Sequence, residues 1–304
     1  MLGDERVLVR TEWTDLPAEV RRLYPWEGSD LVVAGGHRLH YGDVGQGRPL
    51  LFVHGNPTWS FLWRRYVAEL SATHRCVAVD HLGAGLSDKP RDWSYRLADH
   101  VANLVALVDH LDLRDATLVV HDWGGPIGFG AACARPERFT RLVVFNTSVF
   151  LEHVPFSIRM CRWPVVGEML VEQGNAFLRA ALIRAIADRS RMRGAVEHGY
   201  LAPYPTPADR IGHLAFVRDI PIEPDHPTRA VVERLTQDVP RLFADRPTLM
   251  LWGDRDFVFT PRFLGRWKQL LPQAEVHRFA DAAHWVMEDA AERIVPLLRG
   301  WLAR

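Results

Sequence analysis

Apolar and polar positions along the chain fall into two alternating patterns. The stretches PLLFVHG (49–55), RCVAVD (75–80), ATLVVHD (116–122) and RLVVFNTS (141–148) are short runs with almost no polar interruption. Runs of this length without in/out alternation predict strands buried on both faces. Between them, FLWRRYVAELSATH (61–74), SYRLADHVANLVALVDHLDL (94–113) and PIGFGAACARPERF (126–139) repeat apolar residues at three- and four-residue spacing. That spacing predicts amphipathic helices. Strand and helix in alternation predict a parallel sheet covered on both sides. Ahead of it, LVVAGGHRLHYGDVGQG (31–47) has two short extended runs with glycine turns, a small meander.

The rhythm breaks between about 150 and 245. No strand pattern is visible there. Helical stretches are expected at 167–187 and 226–243, with a proline-rich connection over 200–227. Strand patterns return at 247–254 and 274–279, followed by a closing helix at 289–303. The expectation is one α/β main domain, residues 1–149 and 246–304, with a helical lid at 150–245 inserted after the fourth buried strand. Ligands bind at the carboxyl ends of strands in such sheets, so a lid there would cover a pocket.

Composition narrows the function. The 304 residues are 48% hydrophobic and 24% charged, with zero formal net charge. This gives a large core and no basic face for a nucleic acid. No apolar run is long enough to span a bilayer. The N-terminus MLGDERVLVRTEWTDLP has no apolar segment like that of a signal peptide. Cys76, Cys133 and Cys161 are widely spaced, which predicts reduced thiols in a cytoplasmic protein. The histidines form no metal-ligand motif, so no metal and no cofactor are expected.

Chemistry concentrates at the ends of the predicted strands. Asp122 ends the run TLVVHD and is followed by Trp123, Gly124, Gly125 and a helical stretch. The pattern matches the G-x-S-x-G nucleophile elbow with Asp in place of Ser, although Val120 is larger than usual two places before a nucleophile. Asp122 as a mere helix cap is the competing reading of this segment alone. Asp254 and Asp256 follow the later strand, and His284 lies in the loop after the last one. Nucleophile, acid and His in that order is the chain order of an α/β-hydrolase triad.

With these segments in place, the chain resembles the haloalkane dehalogenases of the α/β-hydrolase superfamily. The resemblance runs through HGNPTWSFLWR (54–64), DHLGAGLSDKP (80–90), VHDWGGPIG (120–128), WGDRDFVF (252–259) and AAHWVMED (282–289). DHLGAGLSD speaks only for the fold. The Asn of HGNP with the Trp of HDWGG is more specific. The stretch 200–221 is similar to the third dehalogenase subfamily and to the related β-lactone decarboxylases of long-chain olefin biosynthesis. The resemblance implies an α/β-hydrolase fold, a mostly parallel sheet with helices on both faces and an inserted helical lid. It also implies a small apolar substrate, a halogenated alkane or a β-lactone, with water, and it leaves the oligomeric state open.

The residue types suit that chemistry. A carboxylate attacks a saturated carbon without first losing a proton, which a serine hydroxyl cannot do. Asp122 would form an alkyl ester, and His284 would take a proton from the water that hydrolyses it. Asp256 would orient and stabilise the imidazole. Asp256 is favoured by motif position, with Asp254 the competing choice. FNTS offers no carboxylate at the tip of the fourth strand. Trp123 and Asn56 supply neutral donors for a leaving halide, and their backbone N–H groups an oxyanion hole. A packed aromatic and a turn residue before Pro57 are their plain alternatives.

Three rivals remain. A β-lactone decarboxylase would use the same residues to release carbon dioxide and an alkene. An epoxide hydrolase would need lid tyrosines, for which Tyr200 and Tyr204 are available. A non-enzymatic binding protein of this fold could dispense with a triad member. Phe156, Trp163, Phe177 and Phe216 are expected to be lid core or pocket lining.

Overall fold

A computed structural model of the protein describes residues 11–304. The first ten residues, part of the charged N-terminal stretch, lie outside that range. Eight strands form one sheet: β1 (Ser29–Val32), β2 (Arg38–Val44), β3 (Pro49–Val53), β4 (Arg75–Val79), β5 (Ala116–Asp122), β6 (Phe139–Thr147), β7 (Thr248–Gly253) and β8 (Glu275–Phe279). Their order across the sheet is β1-β2-β4-β3-β5-β6-β7-β8. The first two pairings, β1 with β2 and β2 with β4, are antiparallel. All later ones are parallel.

The apolar runs have a direct packing reason. In β3, Leu50 and Phe52 enter one core while Leu51 and Val53 enter the core on the opposite face. The same division splits Val119 from Leu118 and Val120 in β5. Both faces are dry, so neither set of positions tolerates polarity.

The helices are α1 (Ala18–Leu23), α2 (Arg64–Leu70), α3 (Leu97–His110), α4 (Gly124–Ala134), α5 (Phe156–Met160), α6 (Ala176–Arg184), α7 (Ala195–Leu201), α8 (Ile211–Arg218), α9 (Pro227–Phe243), α10 (Pro261–Leu270), α11 (Val286–Asp289) and α12 (Ala291–Leu302). Helices α5 to α9 lie between β6 and β7.

Some local expectations need correction. The stretch 167–187 is not one helix. A π-helical turn at 168–173 gives way to α6 at Asn175, whose φ is +50°. The proline-rich connection over 200–227 contains α8, whose Leu214, Phe216 and Val217 are buried. Helix α10 has no counterpart in the sequence reading. Helix α9 buries Val232, Leu235, Val239 and Phe243 in the same core as α3 and α4, so it is part of the layer that covers the sheet.

Candidate active site

The site is built at the carboxyl end of β5. Asp122 adopts φ +51°, the left-handed region that a non-glycine residue enters at a cost. The turn into α4 is tight because Gly124 lies against the Val53 carbonyl, where a Cβ would clash. The Thr147 hydroxyl donates to the Asp122 carbonyl and ties the elbow to the end of β6. Asp122 therefore projects from a strained turn, one residue ahead of Trp123, which stands at the N-cap of α4.

Its carboxylate is held from two sides. The Asn56 backbone N–H donates to Oδ1 at 2.7 Å, and the Trp123 N–H also bonds the carboxylate. His284 Nε2 lies 3.7 Å from Oδ2. Burial pushes the carboxyl above its usual range, while His284 and the two backbone donors oppose that rise.

His284 bonds Asp256 Oδ2 through Nδ1 at 2.8 Å. The second Asp256 oxygen accepts the N–H groups of Val258 at 2.7 Å and Phe259 at 3.0 Å. This buried carboxylate is fixed by the chain that follows it. Burial alone would lower the His284 pKa, but Asp256, and then Asp122, outweigh it and hold the imidazole above its ordinary value. Asp254 points elsewhere and accepts the Arg278 guanidinium at 2.9 Å on the surface. The ring of Phe259 stacks on His284, with centroids 5.6 Å apart.

Asn56 and Trp123 border the same space. One Asn56 amide N–H donates to the His213 carbonyl of α8 at 3.1 Å, which leaves the other for a ligand. Trp123 packs against Phe216, centroids 5.6 Å apart. Both residues, with Asp122 and His284, line a cavity of about 540 Å³. Its remaining walls are mostly apolar and include Ile158, Leu170, Phe177, Val258, Phe259 and Phe263.

The expected lid aromatics separate. Phe177 lines the cavity, and Phe216 is buried behind Trp123. Phe156 and Trp163 are neither core nor lining, since 65% and 49% of their surfaces are exposed. Tyr200 and Tyr204 do not border the cavity. The Tyr200 hydroxyl donates to Glu288 at 2.5 Å, and the Tyr204 hydroxyl accepts the Gly85 N–H at 2.8 Å. Neither of the two phenols expected to serve an epoxide-opening reaction therefore lines the cavity.

Sequence reasoning missed three contributors. His213 offers only its carbonyl, which leaves no mark in a sequence. Asp289 accepts the N–H groups of Ala187, Asp188 and Ala283 at 2.8–3.1 Å. Glu288 forms a buried bidentate pair with Arg64 at 2.5 and 3.0 Å. The sequence MED after His284 was the available signal for the last two.

Comparison with known proteins agrees with this geometry. Residues 48–291 match the family model described as the alpha/beta hydrolase fold. A cis-3-alkyl-4-alkyloxetan-2-one decarboxylase of Shewanella oneidensis is 41% identical over 88% of this chain and 86% of its own length. Haloalkane dehalogenase 2 of Mycobacterium bovis is 35% identical over 90% of this chain and 94% of its own. The crystal structure of haloalkane dehalogenase DatA from Agrobacterium tumefaciens superposes with a TM-score of 0.81 at 31% identity, covering 91% of this chain and 96% of that one.

Proposed function

The chain belongs to the α/β-hydrolase family, and we propose that it is a haloalkane dehalogenase-type enzyme with Asp122 as nucleophile. The observation that carries the reading is the carboxylate itself, 3.7 Å from His284 and lining a mostly apolar cavity together with Asn56 and Trp123. Asp122 attacks the substrate carbon as halide departs toward the Asn56 and Trp123 donors. The ester carbonyl then sits between the backbone N–H groups of Asn56 and Trp123, which already bond this carboxylate. His284, oriented by Asp256, takes a proton from water, and the water oxygen attacks the ester carbonyl carbon to release the alcohol. Esterification also removes the Asp122 charge that supports the imidazolium, so His284 becomes a readier neutral base in the intermediate.

A second reading has its own support. A cis-dialkyl β-lactone would be opened by the same Asp122, giving an alkene and carbon dioxide. The relative bearing that activity in its name is 41% identical, against 35% for the dehalogenase. The cavity also has the volume of a drug-sized ligand, several times that of a short bromoalkane. Both readings share a small apolar organic substrate. Helices α5 to α8 act as the lid in either, within the 150–245 insertion. The three unpaired cysteines support a reducing, cytoplasmic setting.

The test is a product assay on a bromoalkane, an epoxide and a long-chain cis-dialkyl β-lactone. Bromide and alcohol released one for one support the dehalogenase reading. Alkene as sole product, at a far higher kcat/KM, establishes the lactone reading. Asp122→Asn should be inactive in both. His284→Phe should retain an alkyl adduct on Asp122 after bromoalkane treatment, read by intact-protein mass spectrometry. An unmodified mass in a variant that binds substrate would remove the ester mechanism.

A further inference from the structure

The lid carries a surface that the catalytic reading does not use. Among the described residues, large exposed apolar side chains concentrate here: besides Leu23 and Val32, which lie elsewhere, Phe156, Trp163, Val165, Met169 and Ile183 fall within α5, the π-helical turn, α6 and the short links between them. Phe156 and Trp163 touch edge to face, with centroids 6.0 Å apart. These segments share a surface because they pack on one small cluster, in which Ile158, Cys161, Leu170, Val171 and Phe177 meet α8. At Val165 the backbone reaches φ +66°, unusual for a β-branched residue, and this side chain is 71% exposed.

Two further observations say what this surface meets. The first is charge. Arg159, Arg179 and Arg184 stand exposed on α5 and α6 with no carboxylate within ion-pair distance among the described residues. Of the acidic groups nearby, Glu168 pairs with Arg218 at 2.5 Å, Glu223 pairs with Arg162, and Glu172 is buried. Arg184 lies over the Phe257 ring at 4.6 Å, and Arg159 and Arg179 have no such partner among the described residues. Exposed Trp and Phe on segments that also carry arginines without a carboxylate partner have the composition of a surface that lies in a bilayer interface. The second is the cavity. Its lining includes Ile158, Arg159, Leu170, Phe177 and Arg184, drawn from the same segments. The segments that carry the exposed apolar side chains therefore also supply part of the cavity wall.

We infer that this face of the lid docks on an anionic lipid surface and draws apolar substrate from it into the cavity. The substrate clause rests on the function proposed above; the docking does not. Phe156, Trp163 and Met169 enter the interface, while the arginines meet lipid phosphates. No helix of the described residues is long and apolar enough to cross a membrane, so the contact is peripheral.

The experiment is co-sedimentation of the full chain with vesicles of phosphatidylcholine alone and of equal parts phosphatidylcholine and phosphatidylglycerol. The wild type should sediment with the anionic vesicles, less so as salt rises. Phe156→Ser/Trp163→Ser/Met169→Ser should lower binding about tenfold or more. Arg179→Gln should weaken binding to the anionic vesicles alone. All variants should keep the wild-type melting temperature and turnover of a short, water-soluble bromoalkane. Failure of the wild type to bind anionic vesicles, or equal binding by the triple variant, overturns the inference. So does size-exclusion chromatography showing a wild-type dimer and a monomeric triple variant, which would assign the patch to a second copy. Binding is read without substrate, so it fails or succeeds independently of the catalytic reading.

Discussion

At the scale of single residues, two carboxylates two positions apart have different fates. Asp256 is buried against His284, and Asp254 is spent on Arg278. Asp256→Asn should lower turnover steeply, toward the roughly 10⁴-fold loss seen when a triad's orienting acid is removed. Asp254→Asn should cost little, and steady-state kinetics with a bromoalkane separates the two. The pH profile carries a second expectation. Hydrolysis needs neutral His284, and its pKa is raised, so activity should fall as pH drops from above the ordinary histidine value of about 6.5. Removing the Asp256 charge should move that acid limb to lower pH even as the rate falls. An unmoved limb would assign it to another group. The side chains that meet at the strand ends, Asp122, Trp123, Asp256 and His284, were legible in the sequence because each stands at the end of a predicted strand or in the loop after it. The His213 carbonyl that steadies Asn56 was not, since any residue supplies a carbonyl.

At the scale of elements, strand ends are fixed by side chains that do no chemistry. Asn146, near the end of β6, donates to the Gly253 carbonyl at 3.0 Å and accepts the Gly253 N–H at 2.8 Å. It thereby pins the end of β7, from which the chain runs on to Asp256. Asn146→Asp exchanges the donor for a second acceptor facing a buried carbonyl. The expected cost is about 1–3 kcal/mol, read as a lower midpoint in urea with an unchanged slope. The buried strands were easy to locate because both faces are dry. The lid was harder. Its turns are set by Val165 and Asn175 in left-handed conformations, which ordinary residues rarely signal. Helix α8 sits among prolines yet is held by burial of Leu214 and Val217. There, tertiary packing overrides local propensity.

For the molecule as a whole, the helices inserted between β6 and β7 are joined to the loop that carries His284. Tyr200 of α7 donates to Glu288, which pairs with Arg64, and its ring stacks on Trp285 with centroids 4.7 Å apart. Glu288→Gln leaves Arg64 as a buried, uncompensated cation. A loss of about 3–5 kcal/mol is expected, seen calorimetrically as a fall on the order of 10 °C in Tm. A change of less than a degree would show that Arg64 finds water instead. Asp289 adds a second seam, since its carboxylate receives backbone N–H groups from both the stretch after α6 at 187–188 and the His284 loop at 283. That seam limits how the protein can be re-engineered. A lid transplanted from a relative between β6 and β7 would arrive without its anchor, because half of the joint is written more than 40 residues after the insertion ends. Chimeras that also exchange residues 283–289 should be the ones that fold and turn over.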